Sequence, residues 1–288
     1  MSDHEIIEKY EAGKSLASLS RESGLSVYKI KKLLTENNIH IRTRFEQTVF
    51  TNMERGKKIN HNYFDELSNE KAYYLGFLAA DGCVRPNRNE IKIGLSSIDR
   101  TWLEEFRNKL NSEREIEDYI TSKGFAVSEL KFSSLKIKQE LAKYSIIPNK
   151  TYLGITMKNI PNEYKLAFLK GFFDGDGCFV FNKNTKQCSV KFTSYGCTFL
   201  EEINKFFNNK GYIYQKQNTE NYSLEFSTLF ALQIMNAFYS LDTPCLSRKK
   251  DKYDEILKYR IQINPRAKDA SKEDEKVCWT YSNKRIRN

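Results

Sequence analysis

The sequence predicts an α+β protein in which one αββαββα subdomain occurs twice, after a small all-α domain at the N-terminus. Two observations predict the duplication. Residues 74–82 (YLGFLAADG) reappear in similar form as residues 169–177 (LKGFFDGDG), and the aspartates Asp81 and Asp176 lie 95 residues apart. The same order of helix-like and strand-like stretches follows each run. A period this long indicates a duplicated subdomain rather than a solenoid repeat.

Apolar periodicity and turn residues predict the elements of each subdomain. Alternation such as Ile91, Lys92 and Ile93 predicts antiparallel sheets with one polar face. The first subdomain has predicted helices at 70–81, 99–111 and 134–144, strands at 83–86 and 90–96, and a hairpin over 115–132. The second has predicted helices at 162–176, 197–209, 228–240 and 246–260, and strands at 178–182, 187–194, 212–217 and 222–227. The predicted boundaries are 1–44, 45–66, 67–160, 161–262 and 263–288.

Residues 4–36 predict three short helices that resemble a helix-turn-helix. Ser26 is a suitable N-cap for the third helix, and Gly24 stands where a tight turn needs positive φ. The helix from Ser26 to Glu36 would then be the recognition helix in a major groove. The predicted core of this domain consists of Leu16, Leu19, Leu25, Ile30 and Leu33. A three-helix interaction module with a charged, solvated face is the alternative.

Composition narrows the class of protein. The formal net charge is +10 and the isoelectric point is about 9.1, which favours a polyanion such as nucleic acid as partner. No apolar run approaches the roughly 20 residues of a membrane span, and the first residues do not resemble a signal peptide. The six cysteines form no CxxC pair, which argues against a zinc site or a disulfide framework. These features predict an intracellular, reducing compartment: the cytoplasm of a bacterium or a phage-infected cell, or an organelle.

Several enzyme classes are excluded by missing residues. The three histidines all precede the first motif, which argues against a histidine–metal nuclease or a Ser/His hydrolase. No glycine-rich phosphate loop of the Walker or dinucleotide type is present. The acidic run that begins at Asp174 is not an EF-hand, because Thr185 stands at the twelfth position, where the bidentate glutamate belongs.

Asp81 and Asp176 would end the two motif helices. Small residues on these helices, such as Gly76 and Gly171, would let the backbones approach closely and bring the aspartates together. Two adjacent carboxylates repel each other, and the negative ends of the helix dipoles add to the cost. A divalent cation would remove that cost, and carboxylate oxygens suit Mg²⁺. The residues therefore predict a metal site with a chemical purpose; the alternative is a pair of plain helix-end turns.

The two runs resemble the paired motifs of the LAGLIDADG homing endonucleases, in the form that carries both motifs on one chain. The match covers roughly residues 65–260. The second copy follows the family pattern closely, whereas the first has Ala79 where an acidic residue is common. The resemblance implies saddle-like antiparallel sheets lying in the major groove of double-stranded DNA. It also implies a monomer that makes a staggered, metal-dependent double-strand break in a long, non-palindromic target.

The resemblance also implies the roles of individual residues. Asp81 and Asp176 would bind Mg²⁺, or another divalent cation such as Mn²⁺, and act in catalysis. Lys150 and Lys249 would lie near the scissile phosphates, with Lys250 as the alternative to Lys249. The predicted DNA-binding residues of the N-terminal domain are Tyr28, Lys29, Lys31, Lys32, Arg42 and Arg44. Those on the polar faces of the sheets are Arg85, Lys92, Lys131, Lys183, Lys191 and Lys216.

Two rival functions stay open at this stage. A protein of the same fold could bind nucleic acid without cleaving it, as an intron RNA maturase or a transcription regulator; intron RNA is thus an open second partner. A regulator driven by residues 4–36, with the remainder as a ligand domain, is the other rival. Residues 45–64 would be a linker that either follows DNA phosphates or is simply solvated. Residues 278–281 of the basic tail would dock on the core or on nucleic acid.

Overall fold

The protein is described here from a computed structural model, which covers residues 1–44, 46–47, 58–182, 184–185 and 187–263. The chain forms two compact units. The first consists of Met1–Asn60 and Asn111–Arg114, and the second of His61–Leu110 and Glu115–Asn288. Within the first unit, the backbone amide of Glu113 donates to the carbonyl of Lys58 at 3.0 Å. The predicted boundary at residue 44 stays a prediction, since half of the predicted linker, 45–66, lies outside the described residues.

Residues 1–43 of the first unit contain three helices, as predicted: α1 (Asp3–Glu11), α2 (Leu16–Ser23) and α3 (Val27–Glu36). The Ser26 hydroxyl accepts a hydrogen bond from the amide of Lys29 at 3.3 Å and so caps α3. Gly24 ends α2 with φ of +73°, a conformation that glycine adopts without steric cost. The capping residue and the turn glycine therefore have the geometry that the sequence predicted for them.

The core of the first unit differs in part from the prediction. Leu19 and Ile30 are buried as expected, but Leu16, Leu25 and Leu33 are only partly buried. Fully buried side chains from α1 and α3 complete the core: Ile6, Tyr10 and Leu34. The prediction was wrong there because it left the apolar face of α1 out of the count and chose Leu33 instead of Leu34, which lies one turn after Ile30 on the inward face.

The second unit begins with the first αββαββα subdomain. Its elements are α4 (Asn69–Asp81), β1 (Gly82–Val84), β2 (Glu90–Ser96), α5 (Arg100–Lys109), β3 (Ile116–Ile120), β4 (Ala126–Ser133) and α6 (Leu135–Lys143). A 3-10 turn, Ser97–Asp99, precedes α5, and a single helical turn, α7 (Lys150–Leu153), follows α6. The four strands form an antiparallel sheet in the order β1-β2-β4-β3.

The second subdomain repeats this order. After the 3-10 turn Asn162–Tyr164 come α8 (Lys165–Asp176), β5 (Gly177–Asn182), β6 (Gln187–Tyr195), α9 (Thr198–Phe206), β7 (Tyr212–Gln215), β8 (Asn221–Ser227), α10 (Thr228–Tyr239) and α11 (Ser247–Ile263). Its strands form a second antiparallel sheet in the order β5-β6-β8-β7. The predicted α+β class and the two αββαββα subdomains are confirmed.

The motif helices α4 and α8 lie at the centre of the second unit. Every residue from Ala72 to Ala79 on α4 is buried, and so is every residue from Ala167 to Asp174 on α8. A helix that is buried on all sides belongs to the interior of a fold rather than to its surface. Only the two ends of each helix reach solvent, and the aspartate lies at the C-terminal end. Among the described residues, no helix combines the length and the apolar character that crossing a membrane would need.

Candidate active site

The backbones of α4 and α8 touch at two glycines. A Cβ atom on Gly76 would lie 1.8 Å from the carbonyl oxygen of Phe168, and a Cβ on Gly171 would lie 1.9 Å from that of Tyr73. Both distances are far below any real contact of a Cβ atom. The two positions therefore require glycine because of close approach, not because of backbone angles. We call this contact between α4 and α8 the seam. It contains the close packing of small residues that the sequence predicted.

The seam brings the two motif aspartates together. At its end, a Cβ on Gly175 would lie 2.3 Å from Cβ of Ala80 and 3.1 Å from the Oδ2 atom of Asp81. Asp81 and Asp176 are the last residues of their helices, and both are exposed. Neighbouring protein nonetheless removes part of their hydration. This loss, followed by the charge of Asp176, raises the pKa of Asp81 to about 6. Burial also raises the pKa of Asp176.

Two buried lysines flank the carboxylates, one from each subdomain. Lys150 begins α7 and donates to the carbonyl of Ala80 at 3.0 Å. Lys249, in the first turn of α11, donates to the carbonyls of Phe173, Asp174 and Gly177 at 2.6, 2.7 and 2.7 Å. Burial lowers the pKa of Lys249 to about 8 and also lowers that of Lys150, and nearby aspartates oppose both shifts. Lys250 turns instead to Asp254 at 2.8 Å, so the geometry favours Lys249 of the two alternatives.

A buried hydrogen-bond network supports the seam on the side of the second motif. The Oδ2 atom of Asp174 accepts from the hydroxyl of Tyr73 at 2.7 Å and from the amide of Leu246 at 3.0 Å. The Tyr73 hydroxyl in turn accepts from Nε1 of Trp102 at 2.8 Å. Asp174 is 1% exposed, and its burial raises its pKa. The sequence analysis missed this network; its only local signal was an acidic residue inside an otherwise apolar run.

The polar face of the first sheet carries ion pairs. Lys92 and Lys131 both contact Glu129, a carboxylate that is 2% exposed in its side chain. Burial works against the charge of Glu129, but hydrogen bonds from the two lysines outweigh it and hold its pKa below the ordinary value. Lys131 also pairs with Glu117 at 2.8 Å. Glu117 and Glu129 thus neutralise the charges of the two predicted DNA-binding lysines on this sheet.

The other predicted DNA-binding residues of the second unit differ in their surroundings. Arg85 lies 3.4 Å from Glu90, and Lys191 lies 3.0 Å from Glu225. Lys216 is exposed near the end of β7. Lys183 lies outside the described residues, as does the basic tail beyond residue 263.

In the first unit, the predicted DNA-binding residues fall into two groups. Tyr28 is 76% exposed on α3, and Lys29, Lys31 and Lys32 are exposed on the same helix. Arg44 is also exposed. The side chain of Arg42, by contrast, is used within the unit. It donates to the carbonyls of Tyr10 and Lys14 at 2.7 and 3.0 Å and stacks on the Tyr10 ring at 3.9 Å. Arg42 therefore has a structural role that the sequence did not indicate.

The carboxylate pair fits a hydrated Mg²⁺ ion better than a fully protein-bound metal. Among the described residues, no cluster of three or more histidine, cysteine, aspartate or glutamate side chains could hold a metal ion. Mg²⁺ needs no such cluster, since it keeps several waters and binds through one or two carboxylates together with phosphate oxygens. Asp81 and Asp176 are hard oxygen ligands, and they remain accessible at the surface. Together they could hold such an ion against a bound phosphate.

Comparison with known proteins finds a family match within the second subdomain. Residues 163–237 match the family model of the LAGLIDADG-like domain. The protein named "Uncharacterized protein MJ0314", from Methanocaldococcus jannaschii, is 29% identical over 187 residues, which cover 60% of this chain and 66% of that protein. This chain therefore spans just under two thirds of the relative.

Solved structures of LAGLIDADG endonucleases are similar at lower identity. The meganuclease I-AabMI, bound to uncleaved DNA, is 14% identical with a TM-score of 0.48, covering 73% of this chain and 98% of its own. The homing endonuclease I-GzeII, in complex with its DNA target, is 17% identical with a TM-score of 0.48, covering 74% and 97%. Residues 163–237, within the second subdomain, are thus similar to the LAGLIDADG-like domain, and the first subdomain repeats the motif and the order of helices and strands.

Proposed function

We propose that this chain is a divalent-metal-dependent DNA endonuclease that makes a staggered double-strand break in a long, non-palindromic site. The observation that carries the proposal is the seam between α4 and α8. It holds two exposed carboxylates together at a cost in electrostatic energy, with a lysine from each subdomain beside them. A bound cation and a phosphate would offset this electrostatic cost, and perturbed charges of this kind are typical of functional sites. The match of residues 163–237 to the LAGLIDADG-like domain supports the same activity.

The site contains the groups that phosphodiester hydrolysis requires. A cation held by Asp81 and Asp176 would polarise a phosphate oxygen and lower the pKa of a bound water. Lys150 and Lys249 add positive charge near the phosphate oxygens on which negative charge would develop. Partial dehydration strengthens these interactions. Water would attack the phosphorus atom and give up a proton to solvent. The bond from phosphorus to the sugar oxygen would break, and the departing oxygen would take up a proton from solvent.

The surfaces of the chain suit a DNA partner. Its net charge of +10 favours association with a polyanion. The exposed tyrosine and lysines on α3 have the placement that a recognition helix needs, so we assign the first unit to DNA binding on one flank of the target. Because the two motifs are on one chain and differ in sequence, the protein would act as a monomer on unlike half-sites.

The decisive experiment is cleavage of DNA that spans the gene's own insertion locus without the inserted element. We expect Mg²⁺-dependent cleavage of both strands, with staggered ends. Asp81→Asn and Asp176→Asn are each expected to abolish cleavage and to leave DNA binding largely intact. Glu163→Gln, which changes an exposed carboxylate in the turn before α8, is the matched control and should cleave normally. Undiminished cleavage by either aspartate variant would refute the proposal.

A shortened chain separates this proposal from a regulator driven by the first unit. Deletion of residues 1–57 should lower DNA affinity and retain metal-dependent cleavage. The deletion stops there because Tyr63 and Phe64 are buried in the second unit. If the shortened chain loses DNA affinity and the full chain cleaves DNA under no condition, the results would instead favour the non-cleaving alternative.

A further inference from the structure

The two active-site lysines are held in different ways, although they come from equivalent places in the two subdomains. Lys249 uses three hydrogen bonds, whereas Lys150 makes one among the described residues. An ammonium group has three N–H donors and no acceptor. Lys249 therefore has no donor left for a phosphate or a water unless it first gives up a carbonyl. Lys150 has two donors left.

The three acceptors of Lys249 surround the turn that carries Asp176. The carbonyls of Phe173 and Asp174 belong to the last turn of α8. The Phe173 carbonyl also accepts from the backbone amide of Gly177, which caps the helix. The carbonyl of Gly177 belongs to the first residue of β5. One ammonium group thus ties the end of the helix to the start of the strand, on both sides of Asp176. Its interaction with the Phe173 ring, at 4.9 Å from the ring centre, adds to this hold.

The start of α11 is itself fixed at several points, which keeps Lys249 in place. Nε of Arg248 donates to both oxygens of Asp99, at 3.0 and 2.9 Å. The amide of Leu246 donates to the buried carboxylate of Asp174 at 3.0 Å. The surroundings of Lys150 are looser. It stands on the single turn α7, where Tyr152 is 73% exposed and Leu153 is 67% exposed.

We propose that Lys249 is a positioning residue that fixes the turn carrying Asp176, and that Lys150 is the lysine that contacts the scissile phosphate or its water. The two half-sites are then unequal, and one DNA strand is cut before the other. The order of strand cleavage rests on the proposed function. The positioning role of Lys249 rests on the hydrogen bonds alone and can be measured without cleavage.

Binding of Mn²⁺ to the protein without DNA, followed by electron paramagnetic resonance, tests the positioning role. Removal of a positive charge beside two carboxylates should by itself strengthen cation binding. If Lys249 positions Asp176, Lys249→Met should instead weaken Mn²⁺ binding by about 10-fold or more, as loss of a supporting partner of a metal ligand does. Lys150→Met should leave Mn²⁺ binding unchanged or stronger. Lys250→Met removes the same charge one residue further along, and should also leave it unchanged or stronger.

Thermal unfolding gives a second readout. Lys249→Met removes the ammonium donor that three carbonyls share and is expected to lower the melting temperature by about 5–10 °C, against little change for Lys150→Met. If Lys249→Met does not fold, Lys249→Arg replaces it: the charge is retained but the donors no longer match the three carbonyls, so weakened Mn²⁺ binding is again expected.

Single-turnover cleavage of a duplex with each strand labelled separately tests the order of cutting. The wild-type protein should accumulate a nick in the same strand in every molecule, and Lys150→Met should remove that preference. Equal rates for both strands, or Mn²⁺ binding to Lys249→Met that equals or exceeds that of the wild type, would overturn the inference. If the wild type cuts no DNA, the proposed function and the strand order fail together, whereas Mn²⁺ binding still decides the role of Lys249.

Discussion

Replacement of Gly76 by alanine tests whether close contact of the two backbones holds the second unit together. The added Cβ would lie 1.8 Å from the carbonyl oxygen of Phe168, whereas ordinary contacts begin near 3.4 Å. The helices must therefore separate locally by about 1.6 Å, because a backbone carbonyl cannot turn aside as a flexible side chain can. Such overpacking costs about 1–3 kcal/mol or more, and the better helix propensity of alanine returns at most about 1 kcal/mol.

We therefore expect Gly76→Ala to lower the free energy of unfolding by about 2 kcal/mol, measured from urea unfolding followed by circular dichroism. Gly94→Ala is the matched control, since its Cβ would lie 3.6 Å from Glu129 and 3.8 Å from Val127, at ordinary contact distances. Separation of the helices would also move Asp81 relative to Asp176, so Mg²⁺ binding should weaken. Equal unfolding midpoints for the two variants would show that the seam tolerates a side chain and that our account of it is wrong.

Three further predictions concern buried polar groups and pH. Tyr73→Phe should cost about 1–3 kcal/mol of stability, because Asp174 and Trp102 each lose a buried partner. The adjacent Tyr74→Phe should be neutral or stabilising, since its buried hydroxyl has no hydrogen-bond partner among the described residues. Similar losses of stability for both variants would contradict the network. Without metal, the contribution of Asp81 to stability should fall as the pH rises from about 4 through about 6, because folding raises the pKa of Asp81 from 3.8 to about 6 and the folded state holds the proton longer. Asp81→Asn should therefore melt above the wild type at pH 8 but not at pH 4, and a constant difference would refute the assignment. Arg42→Ala should speed amide hydrogen exchange in α1, because two hydrogen bonds to carbonyls and the stacking on the Tyr10 ring are lost. Lys32→Ala is the control, and an equal effect of the two variants would contradict the structural role of Arg42.

The features that were predictable from the sequence are those that local steric rules decide. Glycine at positions 76 and 171 has few explanations inside an apolar helix, and the duplication made close approach the best of them. Alternating polarity fixed the strand at Glu90–Ser96, and Ser26 and Gly24 marked the ends of two helices.

The features that were not predictable depend on partners distant in the sequence. Tyr73 and Asp174 are 101 residues apart, and no periodicity in either helix signals that they meet. The pairing of Lys92 and Lys131 with Glu129 needs the register of β2 against β4, in which Lys92 faces Lys131. The interaction of Arg42 with α1 depends in the same way on how α1 packs within its unit.

The paired charges on the first sheet determine how that surface would respond to ionic strength. If Lys92 or Lys131 turns to a phosphate, it must first leave Glu129, which is almost fully buried and would lose a partner. Binding there exchanges one ionic contact for another, so few counterions are released overall. Added salt would therefore weaken DNA binding by this face of the sheet much less than DNA binding by the exposed lysines on α3. Such a surface would favour sequence preference. Exchange of Glu129 for a phosphate would change the binding free energy little, so binding there would become favourable only where a base edge also contributes a contact.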